Sequence, residues 1–499
     1  MRKNWWKYGL LVIALVLFWY FRAWFQPIVM VLYTHPAIIQ SFILWVLLYY
    51  FWFRKIKKEK VFSYKGQDGK MHHSRFKFRY LTYFFLPLLI LLGLFASNIV
   101  RQVHIVGEFD YLSRDNLPEA GQEIRLMPYE VAQRYARDSL QLSQYKLGIE
   151  NIALIDDKLS WMFPLTPDGL IIRFTLKNKG ITYVDATTQA RNSKMAWQDL
   201  EIGQGMLITD NLWWNLRRVR YFVHTEDPYY LVQNNNIMTI VPAISYSYHF
   251  RWGFFYTVPR FVGTFLVDNM GSIDLISQEE ALDHPILENN LIFPERLART
   301  YVAAYQYKNG VLNRFFIHDD QIQIQDVSRK NRQPFLMQTE EGLKWFLSTE
   351  PYGASHGVFK IFVVDARTGE LELYELPGDQ VLTGPVRAMD YVRRSNPVVD
   401  WSRFIMAEPL PFVREGVLYW KVAVIPEDAA GIAYQAFVDS RTNEVLELEG
   451  DREIALFVAG EISPEEEDLI SEEQELIDFI KEKIRELEKL VHDLEERIR

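Results

Sequence analysis

The sequence predicts a membrane protein with three N-terminal transmembrane helices, an α+β ectodomain of repeated modules, each a helix plus an antiparallel β-sheet, and a C-terminal coiled-coil helix. Three observations predict this fold class. Long apolar stretches are confined to the first hundred residues, a later segment repeats at an offset of 74 or 75 residues, and apolar residues recur every seven positions near the end. The 499 residues are enough for two to four domains.

Three apolar stretches predict a transmembrane region over residues 1–104. They run from about residue 5 to 25, from 37 to 53 and from 80 to 100, and none contains an acidic residue. Each approaches the roughly 20 residues that a helix needs to cross a bilayer, where lipid offers the backbone no hydrogen-bond partner. We expect a linker over about residues 26–36. A cleavable signal peptide is a poorer interpretation of the first stretch, because its end is bulky and aromatic.

The charges around these stretches predict their orientation. Residues 54–79 hold ten basic residues against two acidic ones, whereas the linker has no Lys or Arg. Cytoplasmic loops carry an excess of basic residues, so we expect the N-terminus and the loop 54–79 in the cytoplasm. Residues 105–499 are then extracytoplasmic, and the location is the cell membrane of a prokaryote. The residues used for this orientation are Arg54, Lys55, Lys57, Lys58 and Lys60.

The rest of the chain is acidic. Residues 1–101 carry 15 Lys and Arg against two acidic residues, and the remainder carries 40 against 62. An acidic ectodomain repels phosphates, so we expect no nucleic-acid partner. The absence of cysteine from the sequence excludes disulfides, thiolate metal sites and thiol nucleophiles.

The sequence contains no recognisable catalytic motif. It lacks His-Glu-x-x-His, Gly-x-Ser-x-Gly, a P-loop and Gly-x-Gly-x-x-Gly, so we assign no catalytic residue, cofactor or metal ligand. His318-Asp319-Asp320 lies between two strand-like segments and is interpreted as a turn rather than a divalent-cation site. Glu350 and Glu408, each followed by Pro, and Asp400, followed by Trp401, could form paired carboxylates, although exposed acids are common in so acidic a region.

Two stretches, 333–376 and 408–450, align almost without gaps. Each combines an aromatic and β-branched strand, a turn able to adopt positive φ and an alternating return strand, which together predict a β-hairpin. We expect Asp365 and Asp439 to cap the turns through their carboxylates. The matched positions are Gly342 with Gly416, Trp345 with Trp420, Asp365 with Asp439, Thr368 with Thr442 and Glu370 with Glu444. A weaker copy contains Trp161, Asp185 and Thr188 in the same order, and residues 264–276 repeat only the hairpin.

The repeated unit is predicted to be one helix followed by a three-stranded antiparallel sheet that ends in a Val-Asp-x-x-Thr-Gly-Glu turn. It resembles the PepSY module over residues 358–374 and 417–448, and more loosely over 127–189. Asn443 stands where this turn has Gly, and residues 190–290 are outside the resemblance. The resemblance implies an extracytoplasmic protein, in a group where some modules bind or restrain peptidases.

The region beyond the membrane is divided by these patterns. The predicted domains are a first α+β module over 105–190, an aromatic-rich β region over 191–292, a second module over 293–384, a third module over 385–460 and the coiled-coil helix over 461–499. The aromatic residues of the second of these domains could pack a core, form a partner interface, or contact a ligand or the membrane.

An amphipathic helix is predicted after Gly460. Ser463-Pro464-Glu465-Glu466 provides a capping box at its start. Its apolar seam predicts a coiled coil rather than a helix folded back on its own domain. The residues assigned to oligomerisation are Ile477, Ile480, Ile484, Leu487, Val491, Leu494 and Ile498. A parallel dimer is favoured, while trimers and higher oligomers stay open.

These features favour a membrane-anchored extracytoplasmic scaffold or binding protein that self-assembles through the coiled coil and presents its repeated modules to a protein partner. The expected partners are the lipid bilayer, further copies of the chain and a protein outside the cytoplasm. One alternative is a subunit of a transport, channel or secretion assembly. Another is a peptidase regulator or a cell-envelope enzyme.

Overall fold

The computed structural model describes residues 5–51, 60–65, 71–76, 79–233, 236–324, 326–327, 332–353, 357–376, 381–429 and 431–461. Two groups of residues named in the sequence analysis lie outside these ranges, so the orientation and the coiled coil that they predict stay predictions. The first group is Arg54, Lys55, Lys57 and Lys58 of the basic loop. The second is the whole seam of the coiled coil, Ile477, Ile480, Ile484, Leu487, Val491, Leu494 and Ile498. Lys60 begins the first strand.

The N-terminal part is mainly helical. Its elements are α1 Trp5–Thr34, α2 Pro36–Phe51, the antiparallel strands β1 Lys60–Lys65 and β2 Met71–Phe76, and α3 Arg79–Glu108. Most residues of the three helices are apolar, and an apolar helix can be stable in lipid because it satisfies its own backbone hydrogen bonds.

Two of these helices are long and apolar enough to cross a membrane. Among the described residues they are Tyr8–Thr34 and Phe84–Glu108, whereas α2 is shorter. Only 6% and 11% of their most apolar windows is buried by the rest of the chain. Because so much apolar surface is left uncovered by protein, these helices fit a lipid environment better than the core of a water-soluble fold.

The expected linker after residue 25 is wrong, because α1 continues through Pro27 to Thr34. Gln26, Met30 and Thr34 lie four residues apart on one face of the helix, and all three are buried. The amide of Gln26 donates to the carbonyls of Tyr221 and Val223, 3.0 Å away in each case. Packing against the later chain therefore keeps this half of α1 helical although Pro27 removes a backbone donor.

The first module follows α3. Its elements are β3 Leu112–Arg114, α4 Tyr129–Ser139, β4 Tyr145–Leu147, β5 Asn151–Ile155, β6 Lys158–Pro167, α5 Ile172–Thr175, β7 Asn178–Asp185 and β8 Ser193–Leu200. Strands β5, β6, β7 and β8 pair in sequence order, and all are antiparallel. The short strand β4 pairs with the far end of β6.

The aromatic-rich region forms a separate antiparallel sheet beside this module. Its elements are α6 Leu212–Val219, β9 His224–Thr225, β10 Tyr229–Gln233, β11 Asn236–Arg251, β12 Phe254–Val267 and β13 Ile273–Ile276. We call it the middle sheet. Its longest strands, β11 and β12, form a hairpin whose tip is Trp252-Gly253. The predicted hairpin over residues 264–276 is the pair β12 and β13.

The second module has the same plan as the first. Its elements are α7 Gln278–Leu282, α8 Glu295–Ala304, β14 Ile322–Ile324, β15 Phe335–Thr339, β16 Gly342–Pro351, β17 Gly357–Val358, β18 Lys360–Asp365, β19 Leu371–Glu375 and β20 Leu382–Thr383. Strands β15, β16, β18 and β19 form the antiparallel series, and β3 joins β19 in parallel.

The third module completes the described chain. Its elements are α9 Pro385–Ser395, β21 Phe404–Arg414, β22 Val417–Pro426, β23 Tyr434–Asp439, β24 Val445–Leu448 and α10 Asp451–Val458. Its four strands again pair in sequence order. The α+β architecture with antiparallel sheets is thus present, but each module has a series of four strands where three were expected. The additional strand precedes the tryptophan-bearing strand in every module.

The modules do not have separate hydrophobic cores. One core combines residues of the first module, the middle sheet and the second module, including Leu154, Ile240 and Phe362. Another joins the second and third modules through residues such as Phe346 and Trp420. Burial of shared apolar surface therefore fixes the modules against one another, and a cavity lies where they meet.

Candidate ligand cavity between the modules

One aspartate closes the equivalent hairpin turn in all three modules. Each carboxylate accepts hydrogen bonds from backbone N–H groups two or three residues later, which is the geometry of an Asx turn. The bonds are Asp185 from Thr187 at 2.9 Å, Asp365 from Arg367 and Thr368 at 2.8 Å each, and Asp439 from Arg441 and Thr442 at 2.6 and 3.0 Å. Thr188, Thr368 and Thr442 each accept from the backbone N–H two residues later.

One tryptophan links sheet and helix in all three modules. Each indole N–H donates to a backbone carbonyl one or two residues before the proline at the start of the module helix. The pairs are Trp161 with Met127 at 2.9 Å, Trp345 with Phe293 at 3.2 Å and Trp420 with Thr383 at 2.6 Å. The start of each helix is therefore held at a fixed place against its sheet.

A cavity of about 420 Å³ lies where the helix starts of the first two modules meet. Its walls include Trp161 and Trp345, the equivalent tryptophans of these modules. The middle sheet contributes Tyr229 and Pro242, and the third module contributes Leu410. The cavity is thus built jointly by all the folded parts, and its volume lies within the range of small-ligand sites.

Carboxylates dominate the charge of the cavity. Its lining contains two arginines, Arg125 and Arg332, against the six acids Glu130, Glu150, Glu226, Asp227, Glu295 and Glu408. Aromatic rings lie among them, including Tyr129, which packs edge-on against Trp161 at 5.7 Å between ring centroids. Aromatic faces and carboxylates both favour positive charge, so the electrostatic preference of this space is for a cation.

Among the acids that line the cavity, Glu295 has the most strongly shifted pKa. It occupies the first helical position of α8, directly after Pro294. Within the described part of the chain, no hydrogen bond or ion pair holds its carboxylate. Glu295 is exposed to solvent at the cavity wall, but desolvation by the surrounding protein raises its pKa to about 7. The carboxylates of Glu226 and Asp227 raise this pKa further, and Arg296 and Arg299 oppose them.

Glu226 shares this environment. Burial raises the pKa of its carboxyl, although Arg296 lies 3.6 Å from Oε1 and lowers it. Glu226 and Glu295 therefore repel each other when both are ionised, and a cation between them would relieve the repulsion. A single positive group in this space would be attracted by both carboxylates.

The opposite end of the cavity contains an internal ion pair. Glu408 is buried, with Oε2 3.3 Å from the guanidinium of Arg125, and its Oε1 accepts from the N–H of Tyr129 at 2.9 Å. It lies in a β-bulge at a φ of 47°. The interpretation of Glu408 as an exposed acid is therefore wrong. Beside it, burial lowers the pKa of Lys421 to about 7, while Glu408 raises it and Arg125 lowers it.

Comparison with known proteins gives no family. No family model and no curated protein matches this chain. Among solved structures, a mutant of Trypanosoma rangeli sialidase displaying trans-sialidase activity aligns with 68% of this chain and 42% of that chain. The identity is 8% and the TM-score is 0.15, which is too low to indicate a shared fold.

The candidate residues named from the sequence do not form one site in the structure. The turn aspartates and threonines stabilise hairpins and lie outside the cavity lining, whereas Glu408 lines it. His318 occupies a left-handed turn, its Nδ1 2.6 Å from Gln321 Oε1. No group of three or more His, Asp or Glu able to hold a metal occurs in the described part of the chain.

The carboxylates at the centre of the cavity were missed by the sequence reasoning. Glu226 and Asp227 follow one strand, while Glu130 and Glu295 lie in the first turns of two different helices. One signal could have found the last two. Each lies in the first turn of a module helix, Glu295 one residue and Glu130 two residues after the proline that precedes the helix.

Proposed function

We propose that this chain is a membrane-anchored, extracytoplasmic binding protein whose cavity takes a positively charged segment of a protein partner. The observation that carries this proposal is the carboxylate of Glu295, which faces an acidic, aromatic cavity without a partner from the described residues. The carboxylates of Glu226 and Asp227 repel that of Glu295, and a bound ammonium or guanidinium group relieves this repulsion.

The shape of the cavity supports a side chain as the ligand group. A volume of about 420 Å³ admits a lysine or arginine side chain together with part of its neighbours. The aromatic walls suit the methylene stem, and the carboxylates suit the charged end. A chain terminus with a free ammonium group has the same chemistry and would compete for the same place.

The wider setting of this proposal comes from the sequence. The two long apolar helices support anchoring, and the basic loop supports an extracytoplasmic position for residues 105–499 with α2 as a third span. The heptads after residue 463 support assembly of copies through a coiled coil. The PepSY resemblance makes a peptidase one candidate for the partner protein.

A binding experiment with matched variants tests the cavity. The probe is a fluorescein-labelled tetralysine peptide, and a labelled tetraglutamine peptide is its uncharged control. Binding of each peptide to the full chain in detergent micelles is measured by fluorescence anisotropy. The double variant Glu226→Gln/Glu295→Gln is expected to weaken tetralysine binding about tenfold or more, which corresponds to about 1.4 kcal/mol.

The control removes the same charge elsewhere. Asp274→Asn/Glu279→Gln changes two exposed acids that do not line the cavity, and its affinity is expected to stay within about twofold of the parent, since distant surface charges are screened. An equal loss of affinity in both double variants would show that tetralysine binding depends only on the overall negative charge of the protein. Absence of tetralysine binding to the parent would also overturn the proposal.

A further inference from the structure

A set of large apolar side chains on the α+β region is exposed although it does not belong to the apolar helices. We call it the collar, and it consists of Phe222, Phe250, Trp252, Leu312, Phe316 and Ile317. Their exposed fractions range from 47% for Phe222 to 77% for Phe316. Grouped exposure of this kind marks a surface that meets a partner or a membrane.

The hairpin tip of the collar is fixed to the apolar helices. The amide of Gln40 in α2 donates to the carbonyl of Gly253 at 2.6 Å and accepts from the N–H of Phe255 at 3.1 Å. The hydroxyl of Ser97 in α3 donates to the carbonyl of Phe255 at 3.1 Å. The hairpin of β11 and β12 therefore reaches the sides of both helices, and Trp252 lies beside them.

The other two parts of the collar are also tied to the helices. Phe222 stacks near Tyr33 of α1, with ring centroids 4.7 Å apart. On the other side, Phe315 packs against Phe95 of α3 at 5.9 Å, within the same helical turn as Phe316. Three separate segments of the α+β region thus contact three different helices, and each leaves its apolar side chains uncovered.

The charge of these segments differs from that of the rest of the region. Residues 212–222, 246–256 and 308–318 contain no Asp or Glu. Their basic residues are Arg217, Arg218, Arg220, Arg251, Lys308 and Arg314. Acidic residues outnumber basic ones 62 to 40 in the chain after residue 101, so these three segments are basic by comparison, although Asp319 and Asp320 directly follow the third.

We propose that the collar lies in the headgroup layer of the bilayer and binds anionic phospholipid. Aromatic side chains favour the membrane interface, and Arg and Lys beside them reach phosphate while their stems stay apolar. The guanidinium of Arg251 already stacks over the ring of Trp252 at 4.8 Å. This inference rests on the membrane anchoring proposed above, and it adds that the α+β region sits directly on the lipid surface.

Single labels test the collar, and the absence of cysteine from the chain makes each label unique. Trp252→Cys and Phe316→Cys are labelled with an NBD fluorophore in the full chain. The chain is reconstituted in vesicles of phosphatidylcholine and phosphatidylglycerol that contain lipids with a nitroxide quencher. Leu91→Cys, on an exposed face of α3, is the reference for lipid contact, and Val398→Cys, 93% exposed in the third module, is the reference for water.

The expected result is loss of most NBD fluorescence at positions 91, 252 and 316 and no loss at 398. Quenching at 91 without quenching at 252 and 316 would overturn the collar while leaving the anchor intact. Absence of quenching at 91 would overturn the anchor itself. Quenching at 252 and 316 is further expected to weaken when phosphatidylglycerol is omitted, and equal quenching in phosphatidylcholine alone would overturn the preference for anionic lipid.

Discussion

The indole N–H of Trp345 donates a hydrogen bond to the carbonyl of Phe293, 3.2 Å away, and so joins strand β16 to the residue that precedes helix α8 by two positions. Trp161 and Trp420 make the equivalent bond in the other modules. In the first two modules, these bonds place the helix starts at the rim of the cavity. Stability of the modules and geometry of the cavity therefore depend on the same contacts.

Trp420→Phe is expected to destabilise the third module. Trp420 is fully buried, and the substitution leaves the carbonyl of Thr383 without this donor and a gap beside the ring. The expected loss is about 1 to 3 kcal/mol, seen as a lower melting temperature by circular dichroism. Trp197→Phe is the control, because Trp197 is 56% exposed. Equal shifts in both variants would contradict a specific role for the buried bond.

Binding of the tetralysine probe is expected to depend on pH through Glu295. The pKa of about 7 means that its carboxyl gains a proton as pH falls from 8 to 6, while lysine stays charged. Affinity should therefore fall as pH falls through the pKa and level off once Glu295 is protonated, by about the same factor as Glu295→Gln costs at pH 8. Glu295→Gln should bind more weakly at pH 8 and lose most of this pH dependence. A pH profile unchanged by the substitution would contradict the assignment.

The same raised pKa has the opposite effect on the free protein. Between the unfolded value near 4.5 and the folded value of about 7, the folded chain holds a proton that the unfolded chain does not. The contribution of Glu295 to stability is therefore present below that window and is lost as pH rises through it. Glu295→Gln should stabilise the ligand-free protein at pH 8 relative to the parent, as measured by thermal unfolding.

Asp365→Ala is expected to cost more stability than Asp439→Ala. Both aspartates accept two backbone hydrogen bonds, but Asp365 also pairs with the buried ammonium of Lys344 at 2.9 Å. Tyr419 occupies the corresponding place opposite Asp439. We expect a loss of about 2 to 4 kcal/mol for the first variant and about 1 kcal/mol for the second, by denaturant unfolding. Equal losses would show that the buried ion pair contributes nothing beyond the turn.

Acid should weaken the turn of the second module as well. Burial opposes ionisation of Asp365, but hydrogen bonds from the Thr368 N–H and from Lys344 outweigh it, so the pKa is lowered. This stability is present above the unfolded value and is lost as pH falls through the folded one. Asp365→Asn should therefore reduce stability at neutral pH and flatten the acid side of the stability profile.

Lys421→Met is expected to raise stability at neutral pH. Burial lowers the pKa of Lys421 to about 7, whereas the unfolded chain holds the proton up to about pH 10. The parent should become more stable as pH rises from 7 towards 10, and the variant should lack this change. We expect a gain of about 1 kcal/mol or more at pH 7. A marked loss would indicate that a charged Lys421 stabilises Glu408.

Assembly is expected to depend on the terminal heptads. Ile484→Asp/Leu487→Asp places charge in the predicted seam and should convert the oligomer to monomer, measured as the mass of the detergent-solubilised chain by light scattering. Lys489→Asp, outside the seam, is the control and should leave the oligomer intact. A monomeric parent, or an oligomer insensitive to the seam variant, would contradict the coiled coil.

Local patterns allowed much of the fold to be predicted. The hairpins with Asp365 and Asp439 could be predicted because a turn is decided by a few adjacent residues, and the apolar helices because lipid imposes a composition on every position. The extra strand of each module was missed, since Phe335–Thr339 and Phe404–Arg414 are short or nearly continuous apolar runs without clear alternation. Helix α1 was expected to end early, because the contacts that extend it come from residues almost two hundred positions away.

By itself, the sequence determined the elements that depend on neighbours in the chain: the apolar helices, the repeated turn, and the acidic character of everything after them. Only the tertiary structure decided the cavity and the collar. Glu226 and Glu295 lie far apart in the chain, and so do Tyr33 and Phe222, and no local pattern predicts that the members of each pair meet. Burial of apolar surface shared between modules brings them together, and long-range packing of this kind is fixed by the whole fold rather than by any one segment.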